Sequence, residues 1–464
     1  MKLNRKQKSA SSAMTHEGAR AAKLTPTQAL RRSVMANMLW EDTFYEDGAS
    51  VVDRIRGLID HVPTPNLVDI AVGARTDMKL RHVPLLLARE MARSPSIAHR
   101  HQVSKLLPQI IQRPDELTEF LAIYWKDGKQ PLSAQVKKGL ATAFRKFNEY
   151  SLAKYNRKDA VRLRDVLFLS HSNPNEAPSG RYTKDERRLE RETGNLWQLN
   201  DKEQLYQRVV DDKLVTPDTW EVNLSAGADK KETFTRLMAE GKLGALAYLR
   251  NLRNMTEAGI SLTKIRTYAK TLNVERVLPF RFVAAARIVP ALEPTLEELM
   301  FKCLEGSPKL SGKTALIVDN SGSMYFEKVS ARSEMTRSDA ACALAILLRE
   351  ICEDCVVIGF ASSAEIIAPR RGFALRDAIQ NGPKGGTNTD LAIKLAAKEG
   401  YDRIIVVTDE QSHTNIPGPL AGTNAYFINV ATYQHGIGYN KWVHIDGWSE
   451  AIIDYLREFE AAFN

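Results

Sequence analysis

The amino-acid sequence contains no long apolar run, few cysteines and no recognisable leader. Across its 464 residues no apolar stretch approaches the roughly 18 residues that cross a membrane, so we expect no membrane span and no membrane partner. The basic N-terminus lacks the apolar core of a signal peptide. Four cysteines in a chain of this length argue against a disulfide-rich secreted scaffold and favour a reducing compartment. We therefore expect a cytoplasmic protein.

Motifs of common enzymes are also missing. The lone CxxC at 352–355 has no second cysteine pair at zinc-site spacing, so we expect buried structural thiols. The SGKT stretch at 311–314 fails as a phosphate-binding loop, because the glycine required at position 307 is Ser307 and a strand follows instead of a helix. No Ser-His-Asp order, HExxH motif or paired carboxylate site stands out. The sequence therefore predicts a protein that is not an enzyme.

The charge of the chain is divided unevenly along its length. From Lys313 onward there are 14 basic against 19 acidic residues, a net charge of −5. The whole chain has 65 basic and 56 acidic residues, so the first 312 residues hold 51 against 37, a net charge of +14. A large region this basic favours a polyanionic partner.

The first part of the chain has the pattern of an all-helical protein. From 24 to 304, amphipathic segments of helical period follow one another with short Pro, Gly or Asn turns between them. Thr25 is the expected N-cap of the first helix and Pro26 its first residue. The stretch 133–150 is expected to form one helix. Successive short helices of this kind predict a HEAT-like α-solenoid, preceded by a flexible basic arm at 1–23.

The remainder of the chain alternates between strand and helix. Apolar strands are expected at 315–318, 356–361, 403–409 and 425–431, with a short one at 442–446. Helical segments separate them, and this alternation predicts a doubly wound parallel sheet. Ligands of such sheets bind beyond the carboxyl ends of the strands, where Asp319 and Asp409 lie.

A set of oxygen-bearing side chains is expected at that edge of the sheet. Asp319, Ser321 and Ser323 follow the first strand, Thr387 lies in a Gly-Gly-Thr loop, and Asp409 follows a later strand. A phosphoryl-accepting aspartate would need a second acid at position 321, which is a serine. Carboxylate and hydroxyl oxygens instead suit a small hard cation.

The D-x-S-x-S motif, the loop threonine and the later aspartate resemble the metal-ion-dependent adhesion site of von Willebrand factor A domains. The resemblance implies Mg²⁺ with one coordination position open to a partner's carboxylate. The alternative is a vestigial site whose polar residues only cap loops. By residue match, the metal ligands would be Asp319, Ser321, Ser323, Thr387 and Asp409.

The most basic stretch of the helical part is 137–171, with nine Lys and Arg against three acids. Leu140, Phe144 and Phe147 share one helical face, and the basic side chains project away from it, where they could contact phosphates. The alternative is a solvated helix face without a ligand. Aromatic groups that could stack on unpaired bases, or simply pack in the core, are Tyr150, Tyr155, His171 and Tyr182.

A basic helical-repeat part followed by an A-type domain resembles the Ro ribonucleoprotein family, whose N-terminal module is called TROVE. The stretch LAKYNRKDAVRLRDVLFLSHSNP at 152–174 is similar to the family's K-Y-x-x-[RK]…H-x-D-[LV]-L-x-L-S-H-x-x-P pattern, and LRRSVMANMLWEDTFYEDG at 30–48 is similar to its start. One family histidine is replaced by Val161 or Arg162. The chain is thus identified as a bacterial or phage-type member, with a TROVE domain at 24–312 and a von Willebrand factor A domain at 313–464.

The resemblance implies that the helices close into a ring whose basic outer surface binds small structured Y-like RNAs. Single-stranded ends of misfolded RNAs would enter the central hole, in RNA quality control or as a ribonucleoprotein scaffold. We expect a monomer, with an exoribonuclease as a possible protein partner. The competing interpretation is a protein-interaction adaptor that captures an acidic partner residue at the metal site. The candidate RNA-binding residues are Lys137, Lys138, Arg145, Lys146, Lys154, Arg157, Lys158, Arg162 and His171.

Overall fold

The described part of the chain forms two compact units, Met1–Leu58 with Ala228–Asn464 and Ile59–Gly227. Among the described helices, none is long and apolar enough to cross a membrane. The computed structural model describes residues 14–15, 18–21, 23–35, 48–156, 159–173, 201–275, 277, 279–305, 308–329, 334–431, 433–438, 441–447 and 451–463.

The unit Ile59–Gly227 is built from short helices packed on one another. Buried leucines and aromatic residues line their facing sides, among them Leu107 on one helix and Leu140 and Phe144 on another. Side chains of Ser96, Ser133 and Asn148 cap the N-termini of three of these helices. In the described ranges its helices are α3 (Thr64–Thr76), α4 (His82–Arg93), α5 (Ile97–Ile110), α6 (Pro114–Tyr124), α7 (Ala134–Phe144), α8 (Glu149–Tyr155), α9 (Leu163–Ser170), α10 (Asp201–Val210) and α11 (Trp220–Ser225).

The prediction of a single helix over 133–150 is wrong, because the structure divides this stretch into α7 and α8. The Asn148 side chain accepts a hydrogen bond of 2.9 Å from the Ser151 N–H and so begins a new helix. Phe147 lies in the break and is half-buried, whereas Leu140 and Phe144 are fully buried. The break redirects the chain within the most basic stretch, 137–171, which we call the basic motif.

Helices α5 and α7 approach closely at Gly139, which suggests a stability test. A Cβ at this position would lie 2.8 Å from Leu107 Cδ1 and 3.1 Å from the Val103 carbonyl oxygen. Overpacking costs about 1–3 kcal/mol, which exceeds the ~1 kcal/mol that alanine gains over glycine in a helix. We expect Gly139→Ala to lower the free energy of unfolding by up to about 2 kcal/mol in urea denaturation.

Gly57 provides the matched control for this substitution. It lies in a helix of the other unit, and a Cβ there would meet nothing within 4 Å. Gly57→Ala should therefore stabilise the protein by up to about 1 kcal/mol. Equal effects of the two substitutions would show that the α5–α7 approach is not close.

The unit formed by Met1–Leu58 and Ala228–Asn464 contains a six-stranded sheet flanked by helices. Its first helix begins as predicted, since Thr25 Oγ1 accepts from the Gln28 N–H at 3.3 Å. The described helices before the sheet are α1 (Pro26–Met35), α2 (Gly48–Ile59), α12 (Lys230–Ala239), α13 (Ala245–Glu257), α14 (Leu262–Ala269), α15 (Phe280–Ile288) and α16 (Glu293–Leu304). Those interspersed with the strands or following them are α17 (Gly322–Phe326), α18 (Arg337–Ile351), α19 (Gly372–Gln380), α20 (Thr389–Ala397) and α21 (Ala451–Phe463).

The sheet confirms the doubly wound architecture and adds one antiparallel edge strand. The strands are β1 (Leu310–Asp319), β2 (Cys352–Phe360), β3 (Ala364–Ile366), β4 (Arg403–Thr408), β5 (Asn424–Asn429) and β6 (Val443–Asp446). Their order is β3-β2-β1-β4-β5-β6, and only the β2–β3 pair is antiparallel. Because the chain runs from β1 to β2 on one side and reaches β4 on the other, the topological switch point lies between β1 and β4.

Helices of the helical part pack directly against the α/β part within this unit. Arg287 of α15 pairs with Asp339 of α18, and the Glu297 carboxylate accepts from the Phe373 N–H at 2.7 Å. Arg376 of α19 pairs with Glu293 of α16 at 2.6 Å. The compact units therefore divide the chain differently from the boundary at 312/313, which stays a prediction about sequence domains.

Part of the predicted flexible N-terminal arm lies against the α/β part. The Thr15 hydroxyl donates to the Ser412 carbonyl at 2.9 Å, and the Arg20 N–H donates to Asn415 Oδ1 at 3.2 Å. Ala19 is buried and belongs to the apolar cluster that also contains Ile404 and Trp442. The described residues of the arm are thus held to the loop after β4 by hydrogen bonds and burial.

Candidate functional site

Two of the predicted metal ligands are buried carboxylates at the carboxyl ends of β1 and β4. Asp319 is the last residue of β1, and Asp409 follows β4 directly; both are fully buried. The Ser321 N–H donates to Asp319 Oδ1 at 2.9 Å, and the Thr408 hydroxyl donates to Oδ2 at 2.5 Å. Both carboxylates therefore lie at the topological switch point, where the fold places ligands.

The three loops that carry the predicted ligands are hydrogen-bonded to one another. Ser323 Oγ donates to Asp409 Oδ2 at 2.6 Å and lies 3.4 Å from Ser321 Oγ. The Gly322 N–H donates to the Gly385 carbonyl at 3.1 Å, which joins the first loop to the loop of Thr387. That loop meets the third one, since Ser412 Oγ donates to the Thr387 carbonyl at 3.1 Å.

The electrostatics of this cluster fit a divalent cation. Burial and the nearby charge of Asp409 raise the pKa of Asp319 to about 7. Two mutually repelling buried carboxylates with neighbouring hydroxyl oxygens form the donor set that a hard cation such as Mg²⁺ takes. When bound, the cation would neutralise the two carboxylates, and Asp319, Ser321, Ser323, Thr387 and Asp409 are the residues that would hold it.

Two side chains that support these loops, Asn320 and His413, were not predicted from the sequence. Asn320 is fully buried, and its amide donates to the carbonyls of Ile379 (2.8 Å) and Pro383 (2.9 Å). His413 Nδ1 accepts from the Thr387 N–H at 3.0 Å. Two signals were available in the sequence. Asn320 is a polar residue inside the D-x-S-x-S motif, and His413 lies four positions after Asp409.

A buried charge network lies directly beside the third loop. Arg32 of α1 pairs with Glu410, and its Nε donates to the Tyr433 carbonyl at 2.6 Å. Glu410 Oε1 lies 2.8 Å from His444 Nδ1, and His444 Nε2 lies 2.9 Å from Asp446 Oδ1. Burial alone would lower the pKa of His444, but the carboxylates of Asp446 and Glu410 raise it to about 9. The network therefore sets the side chains of Arg32 and His444 against the carboxylates of Glu410 and Asp446.

The four cysteines are not grouped with other metal-binding side chains among the described residues. All four are free thiols; Cys342 and Cys352 are buried, and Cys303 and Cys355 are half-buried. Within the described ranges no group of three or more His, Cys, Asp or Glu side chains could hold a metal ion.

The predicted RNA-binding residues differ in accessibility. Lys138, Lys146 and His171 are exposed. Arg157 and Lys158, like the candidate stacking residue Tyr182, lie outside the described residues. The half-buried members of the set are Lys137, Arg145, Lys154 and Arg162.

Two of the basic side chains contact main-chain groups of neighbouring elements. Arg145 reaches toward the turn after α9, with Nη1 3.5 Å from the Asn173 carbonyl, and so lies near His171. Lys146 donates to the Pro108 carbonyl at 2.5 Å. His171 ends α9 with a left-handed backbone (φ 54°), which turns the chain at this residue.

Lys154 and the candidate stacking residues have distinct surroundings. Lys154 forms an ion pair of 3.1 Å with Glu221. Tyr150 is exposed and free to stack, whereas Tyr155 is half-buried under the Arg113 guanidinium, 4.7 Å from its ring centroid. The structure therefore brings Arg145 close to the His171 turn and places Lys154 against the α11 segment instead.

Comparison with known proteins gives a family match and similar folds. Residues 207–336 match the TROVE domain family. Telomerase protein component 1 from Mus musculus is 37% identical over 90 residues, and that from Rattus norvegicus is 35% identical over 91, each covering 18% of this chain. The chain spans only 3% of these curated relatives. The crystal structure of the Ro (Rsr) protein of Deinococcus radiodurans matches with a TM-score of 0.58 at 18% identity, covering 94% of this chain and 99% of that one.

These findings confirm the predicted resemblance to the Ro family. Residues 207–336 match the TROVE domain family, and the chain shares the fold of the Deinococcus radiodurans Ro protein, a mostly helical N-terminal part followed by an α/β domain. Closure of the helices into a ring stays a prediction.

Proposed function

We propose that this protein binds small structured, Y-like RNAs and the single-stranded ends of misfolded RNAs, in RNA quality control or as a ribonucleoprotein scaffold. The match of residues 207–336 to the TROVE domain is the observation that carries the proposal. The net charge of +14 in the first 312 residues supports it, because phosphate neutralisation supplies most of the affinity for RNA. We place this function in the cytoplasm, with a monomeric protein and an exoribonuclease as a protein partner.

The side chains of the basic motif suit contact with the phosphate backbone. Lys138 and His171 are exposed and can reach phosphates without rearrangement. Tyr150 adds an exposed aromatic face on which an unpaired base can stack. Lysine and histidine contacts of this kind position an RNA with little readout of its sequence.

The proposal is tested on the purified full chain. We expect copurified nucleic acid, seen as a raised ratio of absorbance at 260 to 280 nm, that high salt removes. The stripped protein should then retard a structured RNA with a single-stranded 3′ end at low salt. A clean protein that retards no RNA under these conditions would refute the proposal.

A second proposal concerns the metal site, which we propose binds Mg²⁺ and leaves one position for a carboxylate of a protein partner. The hydrogen-bonded cluster of Asp319, Ser323 and Asp409 favours it, because buried carboxylates with hydroxyl neighbours attract a hard cation. In this proposal the fold holds the oxygens of Asp319, Ser323 and Asp409 in place, and the burial of the two carboxylates excludes other ligands. An adaptor role would add to RNA binding, since the two use different residues.

Mg²⁺ should raise the melting temperature of the wild-type protein, because a ligand that binds only the folded state stabilises it. At about 100 times the dissociation constant the gain is ~2.7 kcal/mol. We expect Asp319→Asn to abolish this gain, whereas Asp377→Asn, an exposed carboxylate paired with Arg376, should retain it. Equal Mg²⁺ shifts for both variants in differential scanning fluorimetry would argue for a vestigial site.

A further inference from the structure

The segment 208–221 contacts helix α8, which lies within the basic motif. The Arg208 guanidinium binds the Glu149 carboxylate through two hydrogen bonds of 2.9 Å. Asn156 Nδ2 donates to Asp212 Oδ1 at 2.8 Å. At the end of the segment, Glu221 Oε1 lies 3.1 Å from Lys154 Nζ. Three polar contacts thus hold an acidic stretch of the chain against the motif.

Within this segment, Glu221 forms an ion pair with Lys154, which is a candidate RNA-binding residue. Both side chains are partly shielded, with 22% of the Lys154 and 33% of the Glu221 side chain exposed. The second carboxylate oxygen, Oε2, is buried and has no hydrogen-bond partner among the described residues. A buried carboxylate oxygen without a hydrogen-bond partner costs free energy, so this arrangement of Glu221 is less stable than one in which water solvates both oxygens.

A carboxylate and a phosphate present the same feature to an ammonium group, namely an anionic oxygen at hydrogen-bond distance. Lys154 also lies 5.8 Å from the Tyr155 ring centroid, which limits where its Nζ can move. RNA phosphate and the Glu221 carboxylate therefore compete for one position.

We propose that Glu221 is an intramolecular competitor of RNA phosphate at Lys154, which RNA must displace in order to bind. The inference rests on the proposed RNA-binding function and deepens it by assigning a residue that sets affinity. The competitor lowers the affinity of every RNA that contacts Lys154 by the same factor, because displacing Glu221 costs the same free energy each time.

The test measures the affinity of the full chain for a fluorescently labelled RNA hairpin with a single-stranded 3′ end, by anisotropy. We expect Glu221→Gln, which keeps the shape and removes the charge, to tighten binding about fivefold at low salt. The slope of log K against log salt should stay the same, because the phosphate contact of Lys154 forms in both proteins once RNA has displaced Glu221. A merely structural role for Glu221 would weaken binding or leave the affinity unchanged.

Two further variants make the test specific to the Lys154 contact. In a Lys154→Ala background, Glu221→Gln should change the affinity less than twofold, because its target is gone. Asp211→Asn removes one negative charge from the same segment without touching Lys154, and it should bind like the wild type; Asp211 contacts Gln207 and Lys213 instead.

These measurements distinguish a failure of the Glu221 proposal from a failure of the RNA-binding proposal on which it rests. Equal affinity of wild type and Glu221→Gln, or an equal gain in the Lys154→Ala background, would overturn the competitor while RNA binding stands. A wild-type protein that fails to bind the hairpin at low salt refutes RNA binding, and the competitor with it. Circular dichroism melting of Glu221→Gln establishes that the variant is folded.

Discussion

Arg32→Met should lower the free energy of unfolding by about 3–5 kcal/mol, the usual cost of removing one partner from a buried ion pair. Arg32 is 1% exposed and Glu410 is fully buried, so water cannot solvate the carboxylate that the substitution leaves behind. The Tyr433 carbonyl, which accepts from Arg32 Nε, would lose its donor as well. His444 remains next to Glu410 and compensates part of the charge. The loss is measured by urea denaturation.

The matched control is Arg236→Met, which breaks an exposed pair with Glu240 on the surface of α12. Exposed pairs four residues apart on a helix contribute about 0.3–0.5 kcal/mol, so this variant should melt close to the wild type. Adding Glu410→Gln to Arg32→Met should recover part of the stability, because the unpaired charge is then removed. A loss no larger than that of the control would show that the Arg32–Glu410 pair is not buried in solution.

Raising the salt concentration from 50 to 200 mM should weaken RNA binding roughly 100- to 500-fold, if the basic motif neutralises about five phosphates. Each neutralised phosphate releases counterions, so log K falls linearly with log salt. Lys154→Ala combined with Lys158→Ala should lower the affinity and make the slope shallower by about 1.4–1.8. Filter binding or anisotropy across a salt series measures both quantities.

Asp319→Ala serves as the control for this series. It removes a predicted metal ligand at the carboxyl end of β1 and none of the basic motif, so RNA affinity and salt slope should equal those of the wild type. Salt-independent binding would contradict phosphate neutralisation as the source of affinity. Loss of RNA binding in a folded Asp319→Ala protein would show that the two sites do not act separately.

Several elements were predictable because their causes are local. Thr25 and Pro26 specify the start of α1 by capping geometry, and the first apolar strand ends at Asp319 as the hydrophobic run does. The predicted ligand loops could be placed together because parallel strands deliver their carboxyl ends to one edge of the sheet. The break at Asn148 could also have been read from the sequence, since an asparagine before Glu149 is a common helix start.

Other features depend on residues that are far apart in the chain. Arg32 and Glu410 are separated by 378 positions, and neither stands out by itself in a chain with 65 basic and 56 acidic residues. The edge strand β3 is three residues long, which is too short for a periodic pattern from which it could be predicted. Lys154 reads as an accessible cation in the sequence, but the structure pairs it with Glu221.

The sequence by itself indicated the resemblance to the Ro family, the alternation of strands and helices after 313, and the oxygen-bearing side chains at one edge of the sheet. Hydrophobic periodicity and short motifs act over a few residues, so they can be read without coordinates. Only the tertiary structure decided which charges are buried, which basic side chains already have an acidic partner, and that Thr15 and Arg20 lie against the loop after β4. Ion pairing and burial depend on distances between segments that the chain brings together only when it folds.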